Sequence, residues 1–484
     1  MKRKSLGMNA FLNSLQSLLN LIFPLITFPY VSRVLSVDGM GKYNFANSIV
    51  SYFLLLAALG ISTYAVREGA KLRDDRKAFS EFASKIFTIN LVSTLISYIL
   101  LFVVLLLVPV LHQYLAAILI LSISIFFTTI GTDWVYTIYE EYAYITVRNI
   151  VFKIISIVMM FVFVRHSGDY LNYVIITMLA STGSYVLNFF HAKKLCDLRI
   201  NWHFDWKTYL TPILVIFGST VAVKVYVSTD TTIIGFMKGN TAVALYSTST
   251  KIYQMVAQML SAVLMVTVPR LAMLMGQNRM EEYKALLKNL IDFLLMLVLP
   301  GVVGLFFLSK DIILIISSAK YSDATLSLRI LSFALLGNAL ATIFNQCALI
   351  PAKREKKTLI SSTTSAIFNL VFNLILVPFI AQNGAALTTV ASEFIVMFMN
   401  YYYSRDITGF VFKDRQTIKN IAIDLLGCVA VGIICVLSTV LIDQMIIRDI
   451  VSVILSVVAY SAILLALKHS AARSVFESAM LRFK

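Results

Sequence analysis

Charge is scarce in this chain of 484 residues. Charged side chains make up 14% of it, where an average soluble domain carries about 25%, and that excludes an ordinary water-soluble fold. Cysteine is scarce too. Cys196, Cys347, Cys428 and Cys435 show no C-x-x-C spacing, three lying in or beside apolar runs and one in a basic loop. A disulfide framework and a thiolate metal site are thereby excluded. The five histidines stand outside the apolar runs or at their edges, which argues against a histidine proton relay within a membrane. No G-x-x-x-x-G-K-[S/T] phosphate loop occurs, so the chain shows no ATPase of its own. Nothing in the residues asks for a cofactor or a metal.

Apolar residues, by contrast, are abundant: 59% of the chain, with a mean hydropathy of +0.83. Apolar runs of roughly 20 residues, enough to cross a bilayer, recur along its length. The N-terminal "MKRK" imitates a secretion signal, but Asn13, Gln16 and Asn20 interrupt the run that follows and no small-residue cleavage site closes it. It reads as the first span. Fourteen spans are expected, at about 11–31, 44–64, 83–108, 114–136, 150–164, 170–190, 208–235, 241–268, 286–308, 325–349, 358–380, 385–403, 418–442 and 449–467. Their lengths, and the need to satisfy backbone polar groups inside lipid, make them helices. The fold class is an all-α polytopic membrane protein.

Lys and Arg fall unevenly between these spans. The N-terminus, every second loop after it and the C-terminus hold 27, the opposite loops hold 7, and seven lie within spans. Positive residues stay cytoplasmic, so both termini are expected inside. The net charge of +16 is then a topology signal and not a nucleic-acid footprint. Trp134, Trp202 and Trp206 fall on the same side, where an interfacial aromatic belt is expected.

Weak internal repeats accompany this pattern. "GKYNFANSIVSY" opens the second span and "ALYSTSTKIYQM" the eighth, aligning Tyr43 with Tyr246 at an offset of 203, which Arg67 and Arg270 share. "TIY" at 137–139 pairs with "TIF" at 342–344 at an offset of 205. Together they predict two six-helix lobes, 1–205 and 206–404, followed by two extra helices in 405–484. An even helix count per repeat makes the lobes parallel, with the pathway between them.

Polar residues inside the spans form stripes. Asn9, Asn13, Gln16, Asn20, Pro24 and Thr27 share one helical face of the first span, and Ser247, Lys251, Gln254, Gln258 and Ser261 one face of the eighth. These two read as walls of a water-filled cavity. Ser362, Ser365, Asn369 and Asn373 on the eleventh read as hydrogen-bonding glue between helices. Lys224 and Asp230, six residues apart on the seventh span, stand about 120° apart and make no i,i+4 pair. Each needs another partner or water, since a charge at bilayer mid-depth costs ~2.5–3.5 kcal/mol. Arg33 ends the first span, Lys42 begins the second and Arg329 lies near the outer end of the tenth. For Arg33 and Lys42 a plain interfacial anchor is the alternative.

The candidate substrate-binding set is Arg33, Lys42, Lys224, Lys251, Arg329, Asn13, Asn20, Gln254 and Gln258, with Asp230 the counter-charge and ion-coupling candidate. Such a cavity is net cationic and suits a phosphate-bearing substrate. Asp292, Glu393 and Asp424 lie nearer span ends, where snorkelling or capping accounts for them.

One stretch departs from the basic cytoplasmic pattern. "TDWVYTIYEEYAYITVRN", 132–149, gathers Asp133, Glu140 and Glu141 with Trp134 and four tyrosines. If the helix continues, Asp133, Thr137, Glu140, Glu141 and Tyr144 share a face. Two readings stand: an interfacial belt with solvated acids, or a cytoplasmic entrance whose acids meet the cations of "PAKREKK" (351–357).

These motifs resemble a known family. "PLITFPYVSRVLSVDGMGKYNFANSIVSY" with "LGISTYAVREGAKLRDD" looks like the start of the bacterial polysaccharide transporter family. These are oligosaccharide-lipid flippases of the multidrug/oligosaccharidyl-lipid/polysaccharide exporter superfamily. "DWVYTIYEEYAYITVRNIVFKIIS" is similar to that family's second signature, with Asp133 in place of the usual Glu and Thr137-Ile138 in place of Gln-Gly. The resemblance implies fourteen helices, two V-shaped lobes and a cationic central cavity. It further implies transport of undecaprenyl-pyrophosphate-linked oligosaccharide to the outer leaflet of the cell membrane, for O-antigen or capsule assembly. Coupling to H+ or Na+, contact with membrane lipids and a polysaccharide polymerase as partner belong to the same implication. Two other readings compete. A drug or cation antiporter of that superfamily would show unpaired carboxylates in the cavity. A membrane polymerase or glycosyltransferase needs room outside the bilayer, yet the longest external loop, 309–324, has only Asp311 and Asp323 as acids. A non-enzymatic transporter is the reading preferred.

Overall fold

The computed structural model describes residues 22–482, with the side chains of 219, 222–227, 262, 263, 265, 266, 475 and 478–482 outside the description. A chain this apolar must satisfy its backbone within each segment, and the described residues form helices and no strand. Among the described residues ten stretches are long and apolar enough to cross a bilayer, and Ile22–Val34 is a shorter apolar helix. Phe102, Leu107, Phe379 and Leu441 lie fully outward, an arrangement that lipid tolerates and water does not. The chain divides into two compact units, Met1–Ala244 and Leu245–Lys484.

The first unit contains α1 (Ile22–Val34), α2 (Val37–Ala58), α3 (Ile61–Gly69), α4 (Arg76–Leu107), α5 (Leu115–Gly131), α6 (Asp133–Ile138), α7 (Tyr142–Phe163), α8 (Tyr170–Thr182) and α9 (Tyr185–Ala192). The first arm of α10 (Trp206–Gly276) completes it. Ser36 accepts the Gly39 N–H at 3.1 Å and starts α2, and Asp75 starts α4 by accepting from Lys77 and Ala78. Both are N-caps that satisfy otherwise orphaned donors. Helix α10 bends at Gly239, whose φ of 76° favours glycine. Around that bend α2 and α10 touch backbone to backbone: a Cβ on Gly41 would stand 2.0 Å from the Asn240 carbonyl oxygen.

The second unit begins within α10 and continues through α11 (Met280–Phe307), α12 (Ser309–Ile316), α13 (Thr325–Ser332) and α14 (Ala334–Ile343). A π-helical segment, Phe344–Leu349, extends α14. Helix α15 (Glu355–Thr408) breaks at Ile380 and Ala381 into two arms. Thr388 donates to Asn373 Oδ1 (2.7 Å) and Ser365 to the Ser392 carbonyl (2.9 Å), tying the arms together. Ser365, Asn369 and Asn373 are buried, so this stripe bonds helix to helix. Helices α16 (Arg415–Leu441), α17 (Met445–Ala466) and α18 (Ser470–Arg482) end the chain.

Candidate functional site

Each unit holds part of the expected binding set. In the first, Arg33 is exposed at the end of α1. Lys42 sits 2.8 Å from Asp38 and over the Tyr170 ring. Asp38 also accepts from Asn240 Nδ2 (2.7 Å), whose Oδ1 accepts the Tyr114 hydroxyl (2.6 Å). Lys42 therefore belongs to a network that fastens the first turn of α2 to the α10 bend. Asp230 is buried beside Ser228 and Thr229. Around it Tyr52 shares a hydrogen bond with Thr232 (3.0 Å), and Ser51 with Ser228 (3.4 Å), in a hydroxyl-rich seam between α2 and α10. Asn13, Asn20 and the Lys224 side chain lie outside the described residues.

In the second unit, Lys251 is half-buried while Gln254 and Gln258 are exposed on the second arm of α10. Arg329 donates through Nε to Ser309 (3.1 Å) and stands over the Phe306 ring, which places it among α11, α12 and α13.

The acidic aromatic stretch does not form one helix. Thr132 (φ 42°) and Glu140 (φ 55°) adopt left-handed backbone. The Glu141 N–H bonds to the Tyr136 carbonyl and the Glu140 N–H to that of Thr137, the pairing that closes a helix C-terminus. Asp133 and Tyr144 consequently lie on separate helices. Trp134 is in the core. Asp133 accepts from Asn188 Nδ2 (2.7 Å) and stands 3.5 Å from Arg148, which is only 6% exposed. Arg148 also donates to the Asn188 and Asn149 side-chain oxygens and faces the rings of Tyr144 and Tyr185. Tyr144 stacks on His191 at 4.2 Å. Glu140 takes Arg73 at 2.9 Å, and Glu141 begins α7. Arg354, in the basic loop of the second unit, is held by Asp406 through two bonds of 2.7 and 2.6 Å. Asp133 and Glu140 thus find cations, Arg148 and Arg73, within the first unit.

Several charged residues lie deeper than their sequence positions suggest. Asp292, Glu393 and Asp424 are 2%, 9% and 0% exposed, so none snorkels. His469 lies past the end of α17, outside the apolar run as expected, yet it is 0% exposed. A left-handed Lys468 (φ 59°) turns the chain after α17 and carries His469 inward. Glu393 accepts from Asn338 Nδ2 at 3.3 Å. Asn338 and Glu393 each lie 205 positions after Asp133 and Asn188, so an acid–amide pair recurs with its ends exchanged.

The chain is 23% identical over 396 residues to a putative O-antigen transporter of Escherichia coli (strain K12), covering 80% of this chain and 94% of that one. It is 20% identical to the capsular polysaccharide biosynthesis protein CapF of Staphylococcus aureus, covering 78% and 93%. Among solved structures it resembles the lipid II flippase MurJ in an inward closed conformation, with a TM-score of 0.75, 14% identity and 95% and 99% coverage. An inward-facing multidrug resistance MATE family transporter of the MOP superfamily matches at a TM-score of 0.61, 14% identity and 83% and 96% coverage. These likenesses show that the chain shares the fold of those two structures. The family model described as polysaccharide biosynthesis protein matches residues 6–275, and the chain belongs to that family.

Proposed function

We propose that this protein is a flippase that moves undecaprenyl-pyrophosphate-linked oligosaccharide repeat units from the cytoplasmic to the outer leaflet for surface polysaccharide assembly. The observation that carries the reading is the family match over residues 6–275, extended by relatives similar along most of their own length. The cations support it. A pyrophosphate needs groups that stay charged, as arginine does, and Arg33 with Lys224 and Lys251 supplies them. Asp230 is the residue to which we assign the coupling cation, H+ or Na+. Transport by alternating access of two lobes, 1–205 and 206–404, at the cell membrane and without bond-breaking chemistry completes the reading. A polysaccharide polymerase is the expected downstream partner.

Deleting the gene should cause a lipid-linked sugar to accumulate on the cytoplasmic leaflet. Complementation with Arg33→Ala or Lys224→Ala should give no surface polysaccharide at normal protein levels, and Lys224→Arg should restore part of it. Wild-type export by a stable Lys224→Met/Lys251→Met double variant would overturn the cationic pathway. The likeness to a multidrug transporter favours a second reading, drug antiport. That reading predicts drug hypersensitivity in the deletion strain with surface polysaccharide intact.

A further inference from the structure

Helices α11, α16 and α17 and the start of α18 enclose Asp292 (2% exposed), Asn420 (1%), Asp424 (0%) and His469 (0%). Tyr460 offers its hydroxyl to Asp424 Oδ1 at 2.9 Å, with the Met296 carbonyl as a second acceptor at 2.9 Å. Asn420 donates to Asp292 Oδ2 (2.8 Å) and to Ser470 (2.7 Å). His469, just before α18, accepts the Ala472 N–H on Nδ1 at 3.3 Å. That bond assigns a neutral imidazole with its proton on Nε2. Nε2 stands 3.3 Å from Asp424 Oδ1, without the alignment of a hydrogen bond. Asp292 Oδ1 and Asp424 Oδ2 are buried and make no hydrogen bond of ordinary geometry among the described residues, the Thr417 hydroxyl being the polar group turned towards Asp292.

Among the described residues, the surrounding charges do not neutralise this cluster. Lys288, one turn before Asp292 on α11, is taken by Asp414 at 2.5 Å. Lys468 is exposed, and Arg473 on α18 is bonded to Glu477 at 3.0 Å. Cys428, a turn beyond Asp424 on α16, and Tyr460 on α17 bring no positive charge. Two ionised carboxylates would leave two negative charges buried among neutral groups, which desolvation forbids unless a cation or a proton joins them.

We propose that Asp292, Asp424 and His469 form a single proton-binding site in the C-terminal helices. Asp292 carries the proton on its unbonded Oδ1, and Asp424 is the carboxylate held by Tyr460 and faced by the imidazole. The site belongs to the second unit, whereas Asp230 belongs to the first. It borders an apolar cavity of about 560 Å³ whose wall includes Met296, Tyr460, Leu464 and Ala472. Loss of the proton places charge against that wall and loosens the junction where α11, α16 and α18 meet.

The test uses the full chain in lipid nanodiscs and infrared difference spectra between neutral and alkaline buffer. Wild type should show a protonated-carboxyl C=O band at neutral pH that disappears on alkalinisation, and Asp292→Asn should lack it. Should Asp292→Asn not fold, Asp424→Asn decides. With its neighbour's charge removed, Asp292 ionises more readily and the band vanishes at lower pH than in wild type. Melting gives an independent readout. A folded state holding a proton that the unfolded carboxylate releases loses stability as pH rises. The wild-type Tm should therefore fall as pH rises from about 4 until the buried carboxyl ionises, and Asp292→Asn should flatten that fall because its amide imitates the acid. Bands identical to wild type in both variants, with an unchanged Tm slope, would mean that both carboxylates are ionised and would overturn the proposal.

Discussion

At the scale of single residues, the best-defined charge is Arg148. It is buried against Asn188, Asn149 and two tyrosine rings, with Asp133 as its carboxylate. Arg148→Ala should lower stability in a detergent melt by on the order of 3 kcal/mol. That is the low end for a broken buried pair, because Asp133 keeps some exposure. Asp414 gives a pH dependence. Lys288 beside it, and the Thr417 N–H that it caps, hold its carboxyl below the usual carboxylate range. A depressed carboxyl adds stability above the unfolded value of about 4 and loses it as pH falls through the folded one. Asp414→Asn can still cap α16, but its Tm should decline less in acid than the wild-type Tm does. Cys196 is the opposite case: burial pushes its thiol up to about 12, so a thiol-reactive probe should leave it unmodified in the folded protein. Spans and stripes showed such charges in the sequence, but not their partners. Asn188 was illegible because a lone asparagine in an apolar run says nothing about a helix fifty residues away.

Helices themselves were the most legible elements, since apolar runs of bilayer length admit little else. Their breaks were not. Thr132, Glu140, Ala381 and Lys468 all take left-handed backbone without being glycine, and at Glu140 and Lys468 the hydrogen bonds that close a helix end, not residue type, hold it there. The continuous face expected through Asp133 and Tyr144 failed for this reason. Where glycine is required, the cause is contact. Gly41 faces the Asn240 carbonyl, and a Cβ on Gly235 would stand 2.0 Å from the Phe45 ring. Overpacking commonly costs about 1–3 kcal/mol. Gly41→Ala should lower Tm more than Gly235→Ala does, because a backbone carbonyl yields less than a ring. Equal melting of the two variants would refute that ranking.

For the whole molecule, the 27-to-7 division of Lys and Arg makes a topological prediction that the structure sharpens. Asn240 is bound to Asp38 and Tyr114, whereas Lys238 beside it is exposed, as is Lys356. In a protein free of other accessible thiols, Lys238→Cys should react with an impermeant reagent in intact spheroplasts and Lys356→Cys only after lysis. The reverse pattern would invert the topology. The exchanged pair, Asp133 with Asn188 and Asn338 with Glu393, bears on how the two halves diverged. If they descend from one duplicated ancestor, the acid changed sides in two steps, through either two facing acids or two facing amides. Two amides can donate and accept in turn, while two acids must share a proton. The neutral intermediate is then the passable one. Glu393→Gln should accordingly melt close to the wild type, and Asn338→Asp, which sets one carboxylate against another, should melt well below it.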